Sequence, residues 1–529
     1  MSERAKRAGG PARGTVPLLS ACMITRDEEA NLGDCLTALN FLVDEVVVYD
    51  TGSTDGTVEL ARRLGATVLE GYWDDDFSRA RNQALAACKG TWILHVDADE
   101  VLEADARVLR GILEADPPAD AFTIEIYNLI GDGSRPGYTH RGVRLFRRRR
   151  CHWEGPLHEQ VVLRPGHPGV VRVGPFPHGR LVHSGYLETT IADHDKLERN
   201  LRVALAARDQ GPSDGSEAAL RALNLGRCLA AVGRFEEALE QYRVAADGLE
   251  VVVARRMACM HAAEATLELR RPDETLEWVG RLRGCTTRPA IPDVLEAQAR
   301  VLLDDPGRAV ELLEAVGGEA ADEDGFALPS GLVETLLANA LLEAGRADDA
   351  ADVLLELVER IGDALTVANT VQTLGRAGRS FETLARSLPE RHLIRAAAAL
   401  TMILPDDADR AAEELWGRFE GRPELLAAAV RFGPKLPPSR ALVWSARLRR
   451  VGAAERCPLL ERAHGHPDPR ERALAAATAI VAFADPAAER ALADALIATP
   501  AADQDVLRRQ LAELGVAVPG PQPTIAVGR

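Results

Sequence analysis

The stretch Thr91-Trp92-Ile93-Leu94-His95-Val96-Asp97-Ala98-Asp99-Glu100 runs from an apolar, strand-like segment into three carboxylates. Oxygen donors at that density suit a hard divalent cation. If the apolar run is a buried strand, Asp97 and Asp99 arrive at the carboxyl edge of a sheet, where open α/β sheets bind their ligands. An idle acidic loop after a strand has the same composition. The reading therefore depends on what accompanies it.

Several segments do. Cys22-Met23-Ile24-Thr25-Arg26-Asp27-Glu28-Glu29 reads as a strand running into a polar turn and then a helix. Tyr49-Asp50-Thr51-Gly52-Ser53-Thr54-Asp55-Gly56-Thr57 ends a strand in an aspartate, and its glycines permit a tight turn before the next helix. Trp73-Asp74-Asp75-Asp76-Phe77-Ser78-Arg79-Ala80-Arg81-Asn82 opens a helix. Further on come Arg144-Leu145-Phe146-Arg147, Trp153-Glu154-Gly155-Pro156-Leu157-His158-Glu159 and Val182-His183-Ser184-Gly185-Tyr186.

In order and spacing these segments resemble the family 2 glycosyltransferases with the GT-A fold, over roughly residues 16–187. That family's usual pattern is a strand ending in Tyr-Asn-Glu, then Asp-Asp-Gly-Ser-x-Asp-Gly-Thr, a helix with Arg or Lys before Asn, and Asp-x-Asp. The variant here resembles a narrower branch that includes glycocin-type peptide S-glycosyltransferases and certain lipopolysaccharide-core glucosyltransferases. Thr51 stands where the common motif has a second Asp, and Arg26 where Tyr is common.

The resemblance implies a role for each matching position. Thr25 and Glu28 would line a nucleoside pocket, and Asp50 would hold uracil. Arg81, with Asn82 beside it, would contact the base or diphosphate. Asp97 would face ribose and metal, Asp99 would bind Mn2+ or Mg2+, and His183 would complete the metal sphere. The donor would be a nucleotide sugar, UDP-linked. An inverting transfer needs a base near the acceptor, and the resemblance places the His158-Glu159 pair there, Glu159 first and His158 second. Trp153 is either an apolar platform or a core residue. Lys196, Arg199 and Asn200, a pattern also typical of the branch, would close over the diphosphate or tie two halves together. The Gln-x-x-Arg-Trp motif of processive synthases is missing from the sequence, which favours transfer of a single sugar.

The elements that must position these residues follow from periodicity. Strand-like runs at 18–24, 45–49, 67–69, 92–96 and 121–130 alternate at first with helical patterns at 32–42, 58–64 and 78–87. Such alternation predicts a mostly parallel sheet with helices on both faces. Shorter strands are expected at 143–146 and 160–163. Beyond about residue 200 the strands stop, and Ala, Leu, Glu and Arg dominate. Leu225-Gly226, Leu229, Gly233, Ala238, Tyr242 and Ala245 take the small and large positions of a tetratricopeptide (TPR) unit. Leu337-Ala338, Leu341, Gly345, Ala350, Leu354 and Leu357 do the same, and Thr275 and Ala309 mark weaker copies at intervals near the ~34 residues of such repeats. The expected organisation is a tail at 1–15, a GT-A domain at 16–200, a linker at 201–216, TPR-like helical repeats at 217–515 and a second tail at 516–529.

Length and composition bound the rest. The 529 residues carry a net charge of −17, which disfavours nucleic acid as a partner. No segment approaches the ~18 consecutive apolar residues of a membrane span. The basic start lacks an apolar core and reads as a disordered tail, not a signal peptide. Eight cysteines without C-x-x-C spacing argue against a zinc site or disulfide framework and for a reducing cytosol. The Arg141–Arg150 run reads either as a strand whose end carries solvated arginines or as a patch that meets phosphates of a donor, a lipid-linked acceptor or a membrane surface. The resemblance implies a nucleotide sugar and a peptide, protein or glycan acceptor as partners. The expected location is cytoplasmic, or peripheral at the inner face of the membrane. A solenoid also offers a surface for recruitment or homodimerisation.

Overall fold

The computed structural model describes residues 16–131, 135–187, 194–210, 215–317 and 328–518. It divides into two compact units, Met1–Ala340 and Leu341–Arg529. The first holds an eight-stranded sheet in the order β3-β2-β1-β4-β7-β6-β10-β5. Here β1 is Leu19–Thr25, β2 Glu45–Asp50, β3 Thr67–Glu70, β4 Trp92–His95 and β5 Glu100–Ala104. The others are β6 (Ala121–Gly131), β7 (Arg135–Arg147) and β10 (Val173–Leu187), while β8 (Cys151–Glu154) and β9 (Gln160–Leu163) pair as a separate hairpin. β1 runs parallel to β2 and β4, β2 is parallel to β3, and β7 lies antiparallel between β4 and β6.

Alternation along the central strands builds two cores, as the two-residue period of a strand requires. Leu19, Ala21, Met23, Trp92 and Leu94 pack with Leu36 of α1 (Leu32–Leu39), Ala61 of α2 (Thr57–Arg63) and Leu109 of α4 (Ala106–Glu114). Cys22, Val47 and Ile93 face the other way, onto Ala80, Ala84 and Leu85 of α3 (Phe77–Ala87) and onto Trp153. Asp76 starts α3 by accepting the Arg79 amide, a side-chain N-cap. Because β2 and β4 flank β1 on opposite sides, the carboxyl ends of β1 and β4 border the crevice where the strand order switches. The expected α/β class holds. β5, α4, β8 and the long β10 are additions to the pattern read from periodicity.

Helices follow: α5 (His194–Gln210), α6 (Gly215–Ala231), α7 (Phe235–Gly248), α8 (Val252–Glu268), α9 (Pro272–Arg283), α10 (Ala290–Leu302) and α11 (Pro306–Val316). A β-carbon at Gly226 would lie 2.5 Å from the Tyr242 ring, so α6 and α7 approach closely only because that position is glycine. Ala238, Thr275 and Ala309 are fully buried at the equivalent small positions. Residues 201–210, expected as linker, continue α5, whose Val203 and Ala204 join the array's core. Residues 211–214, the expected tail at 1–15 and positions 519–529 of the expected tail at 516–529 lie outside the described residues.

Within the second unit the described residues from 347 to 513 are helical pairs around Leu415, Phe432 and Trp444. Among the described residues no helix is long and apolar enough to cross a membrane.

Candidate active site

β1 and β2 end together, with Thr25 in register with Asp50. The loops beyond them interlock through reciprocal hydrogen bonds. The amides of Asp27, Glu28 and Glu29 donate to Ser53 Oγ, Thr57 Oγ1 and Asp55 Oδ2 at 2.9, 2.8 and 3.1 Å. In return the amides of Thr54 and Gly56 donate to Asp27 Oδ1 and Glu29 Oε2 at 2.6 and 3.0 Å. Asp50 is buried and accepts from the Gly52 and Ser53 amides, Ser53 Oγ and Thr25 Oγ1. Its carboxylate shapes the turn that Gly52 makes at φ 109°. Glu28 Oε2 accepts from Asn31 at the start of α1.

The end of β4 carries the charge. Asp97 accepts from Arg81 Nη2 at 3.0 Å and from Arg144 Nη1 at 3.3 Å. Arg144 also holds Glu100 at 2.5 Å, and Arg81 Nε donates to Glu159. Burial would push the Asp97 carboxyl up, but Arg81, His95 and Arg144 hold it well below the usual carboxylate range. Burial drives Glu100 up to about 7 against the pull of Arg144. It also drives His95 down to about 3, helped by Arg81 and Arg144 and opposed by Asp97. Arg81 is itself buried, and its Nη1 has no hydrogen-bond partner among the described residues.

Asp99 meets a different set. His183 Nε2 lies 3.2 Å from Asp99 Oδ2, and His183 Nδ1 lies 2.8 Å from Asn128 Oδ1. Burial opposes the imidazolium, yet Asp99, Glu100 and Asp97 outweigh it and raise the His183 pKa. Among the described residues no cluster of three or more His, Cys, Asp or Glu side chains is gathered for a metal. A carboxylate and an imidazole at this separation do fit a cation that takes its remaining ligands from water and substrate phosphates.

The loop after β8 carries the expected base. Asn82 exchanges two hydrogen bonds with the Trp153 backbone, 2.8 and 3.2 Å, so its amide anchors β8 to α3. Trp153 is buried against Phe146 and His95, which makes it a core residue. Phe77 N donates to Pro156 O at 2.9 Å, and Leu157 is buried within the core of the helical array. Burial, with Arg227 and His261 nearby, takes His158 down to about 3. An imidazole that weakly basic is a poor proton acceptor near neutral pH, which counts against His158 as the base. Arg199 stacks over Trp73 and Phe77 at 5.6 and 5.5 Å, tying α5 to the start of α3. The Lys196 side chain lies outside the described residues.

The arginine run divides its tasks. Arg141 and Arg147 bond backbone carbonyls around the sheet, Arg148 caps Gly90, and Arg150 pairs with Asp120. Arg149 is exposed. Arg144, from the same run, turns into the charge cluster; its place two residues before Phe146 on an alternating strand was the available signal.

Residues 20–166 match the family model Glycosyl transferase family 2. The lipopolysaccharide core biosynthesis glycosyltransferase LpsC of Rhizobium meliloti is 32% identical over 210 residues, covering 36% of this chain and 71% of its own. A TPR repeat-containing protein of Synechococcus elongatus is 39% identical over 202 residues, covering 33% of this chain and 48% of that one. Among solved structures, residues 1–349 of S. aureus TarS overlay with TM-score 0.27 and 13% identity, over 51% of this chain and 90% of that one. A sheet of this order places the carboxylates after β4 beside its switch point, the crevice where open α/β sheets bind ligands. The chain belongs to the family 2 glycosyltransferases. It spans about half the length, 48%, of the Synechococcus relative and 30% of an uncharacterized Rickettsia felis glycosyltransferase.

Proposed function

We propose that this chain is an inverting, metal-dependent glycosyltransferase that moves one sugar from a UDP-sugar to a peptide or protein acceptor. The observation that carries the reading is Arg81, a buried guanidinium bonded to Asp97 and Glu159 whose Nη1 lacks a partner among the described residues. A buried donor left unmade is costly, and a diphosphate oxygen would satisfy it. Asp99 and His183 would hold Mn2+ or Mg2+, which supplies positive charge to the leaving diphosphate. Thr25, Glu28 and Asp50 set the shape of the nucleoside side. As the acceptor atom bonds to the anomeric carbon, the bond to the diphosphate breaks and Glu159 takes the acceptor's proton. Arg81 stabilises the charge that develops on the departing group.

The peptide acceptor is supported by the array. Helices α6 to α10 carry a groove of about 410 Å³ lined by residues including Phe235, Tyr242, His261, Glu264 and Leu295. His261 also acts electrostatically on His158, beside the proposed base. The second reading, transfer to a cell-envelope glycan, is favoured by the likeness to LpsC. The internal bonds of Arg147, Arg148 and Arg150 remove the basic patch from its support.

The test is metal-dependent turnover of a panel of UDP-sugars, followed by mass spectrometry of peptide and lipopolysaccharide-core acceptors. Asp99→Ala should abolish Mn2+-dependent turnover with the fold intact. Full turnover in that variant removes Asp99 from the site.

A further inference from the structure

Helix α6, from the array, reaches the site. Asn224 Nδ2 lies 3.4 Å from the carbonyl oxygen of Leu157, and Leu157 is buried among Val203, Ala222 and Leu223 of the array's core. Residues three apart on a helix share a face. Arg227 therefore lies on the face that Asn224 sets against the loop carrying Glu159. It is half-buried and makes no hydrogen bond or ion pair with any described residue.

Its charge registers on two imidazoles. One is His158, in that loop, and the other is His140, which burial, Arg144, His183 and Arg227 take down to about 4. His140 Nδ1 lies 3.0 Å from Asn128 Nδ2, Asn128 Oδ1 lies 2.8 Å from His183, and His183 meets Asp99. Arg227 thus shares the α6 face that meets the loop bonded to Arg81, and its charge bears on an imidazole of the network that ends on Asp99. A guanidinium partly withdrawn from water without a counter-charge is unfavourable until an anion arrives.

We propose that Arg227 is a donor-binding residue contributed by the helical array, its guanidinium taking an oxygen of the nucleoside diphosphate alongside Arg81. This inference rests on the nucleotide-sugar reading above. It makes the first repeat part of the donor site, in addition to any role in recruiting the acceptor. An acidic acceptor group is the competing ligand for the same charge.

The experiment titrates UDP, with Mn2+, into the full-length protein and its Arg227→Gln, Arg227→Lys and Arg81→Gln variants by calorimetry. Arg227→Gln should weaken UDP about tenfold or more, as loss of one charge-assisted hydrogen bond does. Arg227→Lys should recover part of that loss, and added salt should narrow the gap between wild type and Arg227→Gln. Melting curves and the Arg227→Lys variant separate this effect from misfolding. UDP affinity in a folded Arg227→Gln equal to wild type overturns the inference and turns Arg227 towards the acceptor. A wild-type protein that binds neither UDP nor any other nucleoside diphosphate sinks the donor reading itself, as does Arg81→Gln binding UDP unimpaired while Arg227→Gln also does.

Discussion

The loops on the two sides of the site are held in opposite ways. On the nucleoside side, residues 25–29 and 50–57 lock onto each other through pairs separated by 25 to 29 positions, the span of one strand-helix-strand unit. On the acceptor side, the segment 153–159 has no comparable self-sufficiency. Trp153 and Glu154 pair locally with β9, but the segment otherwise leans on distant partners: Phe77, and Asn82, Arg81 and Asn224 at separations of 71, 78 and 67 positions, with Leu157 buried by helices of the array. One side is a property of a short motif. The other exists only once α3, β8 and α6 have met, so it should be the more easily loosened.

The sharpest break in that contrast is chemical. Glu159→Gln should lower kcat by about 10²–10⁴-fold, the range for losing a general base. Donor affinity should stay close to wild type, because Arg81 keeps its contact with Asp97. Turnover of UDP-sugar and UDP titration measure the two separately. Collapse of donor affinity would move Glu159 to the nucleotide side and leave the base elsewhere.

A packing change tests the same contrast without touching chemistry. Leu157 is 7% exposed, and truncating a buried leucine to alanine costs about 2–5 kcal/mol. The cost should fall on one loop. Amide exchange across 153–160 should accelerate in Leu157→Ala while exchange across 45–57 is unchanged, and Leu157→Met should restore protection. Equal acceleration of both segments would show that the two sides share one support.

The same contrast explains what could be read in advance. The sheet's first four strands, α1 to α3 and the carboxylates after β4 follow from local apolar periodicity and turn chemistry. Arg81 and Glu159 were placed at the site by resemblance; their ion pair joins residues from α3 and the segment after β8. Asn82 carries the family's motif, yet its amide bonds the Trp153 backbone. No local pattern announces a side chain whose partner is a distant carbonyl. Arg144 hid among arginines of similar context, and only the pleat and its antiparallel pairing with β4 aim it at Asp97 and Glu100. Arg227 was still less visible, since a helical repeat reads as packing positions and its functional face depends on what it meets.

The smallest expected effect isolates the self-locking side. Gly52 sits at φ 109°, and a β-carbon added there would meet no atom within 4 Å. Gly52→Ala therefore adds conformational strain with no clash, about 1–2 kcal/mol for an L-residue forced into a left-handed backbone. The Gly52 and Ser53 amides that Asp50 accepts depend on that turn. The variant should melt a few degrees lower and bind UDP more weakly, with exchange across 153–160 unaltered. Gly33, inside α1, provides the matched control: its added β-carbon also meets nothing, and its φ is not in the left-handed range. Gly33→Ala should leave UDP affinity alone and raise stability by up to about 1 kcal/mol, through helix propensity and a less flexible unfolded chain. If Gly52→Ala and Gly33→Ala behave alike, the turn at Gly52 does not hold the nucleoside side, and that side too must lean on the rest of the molecule.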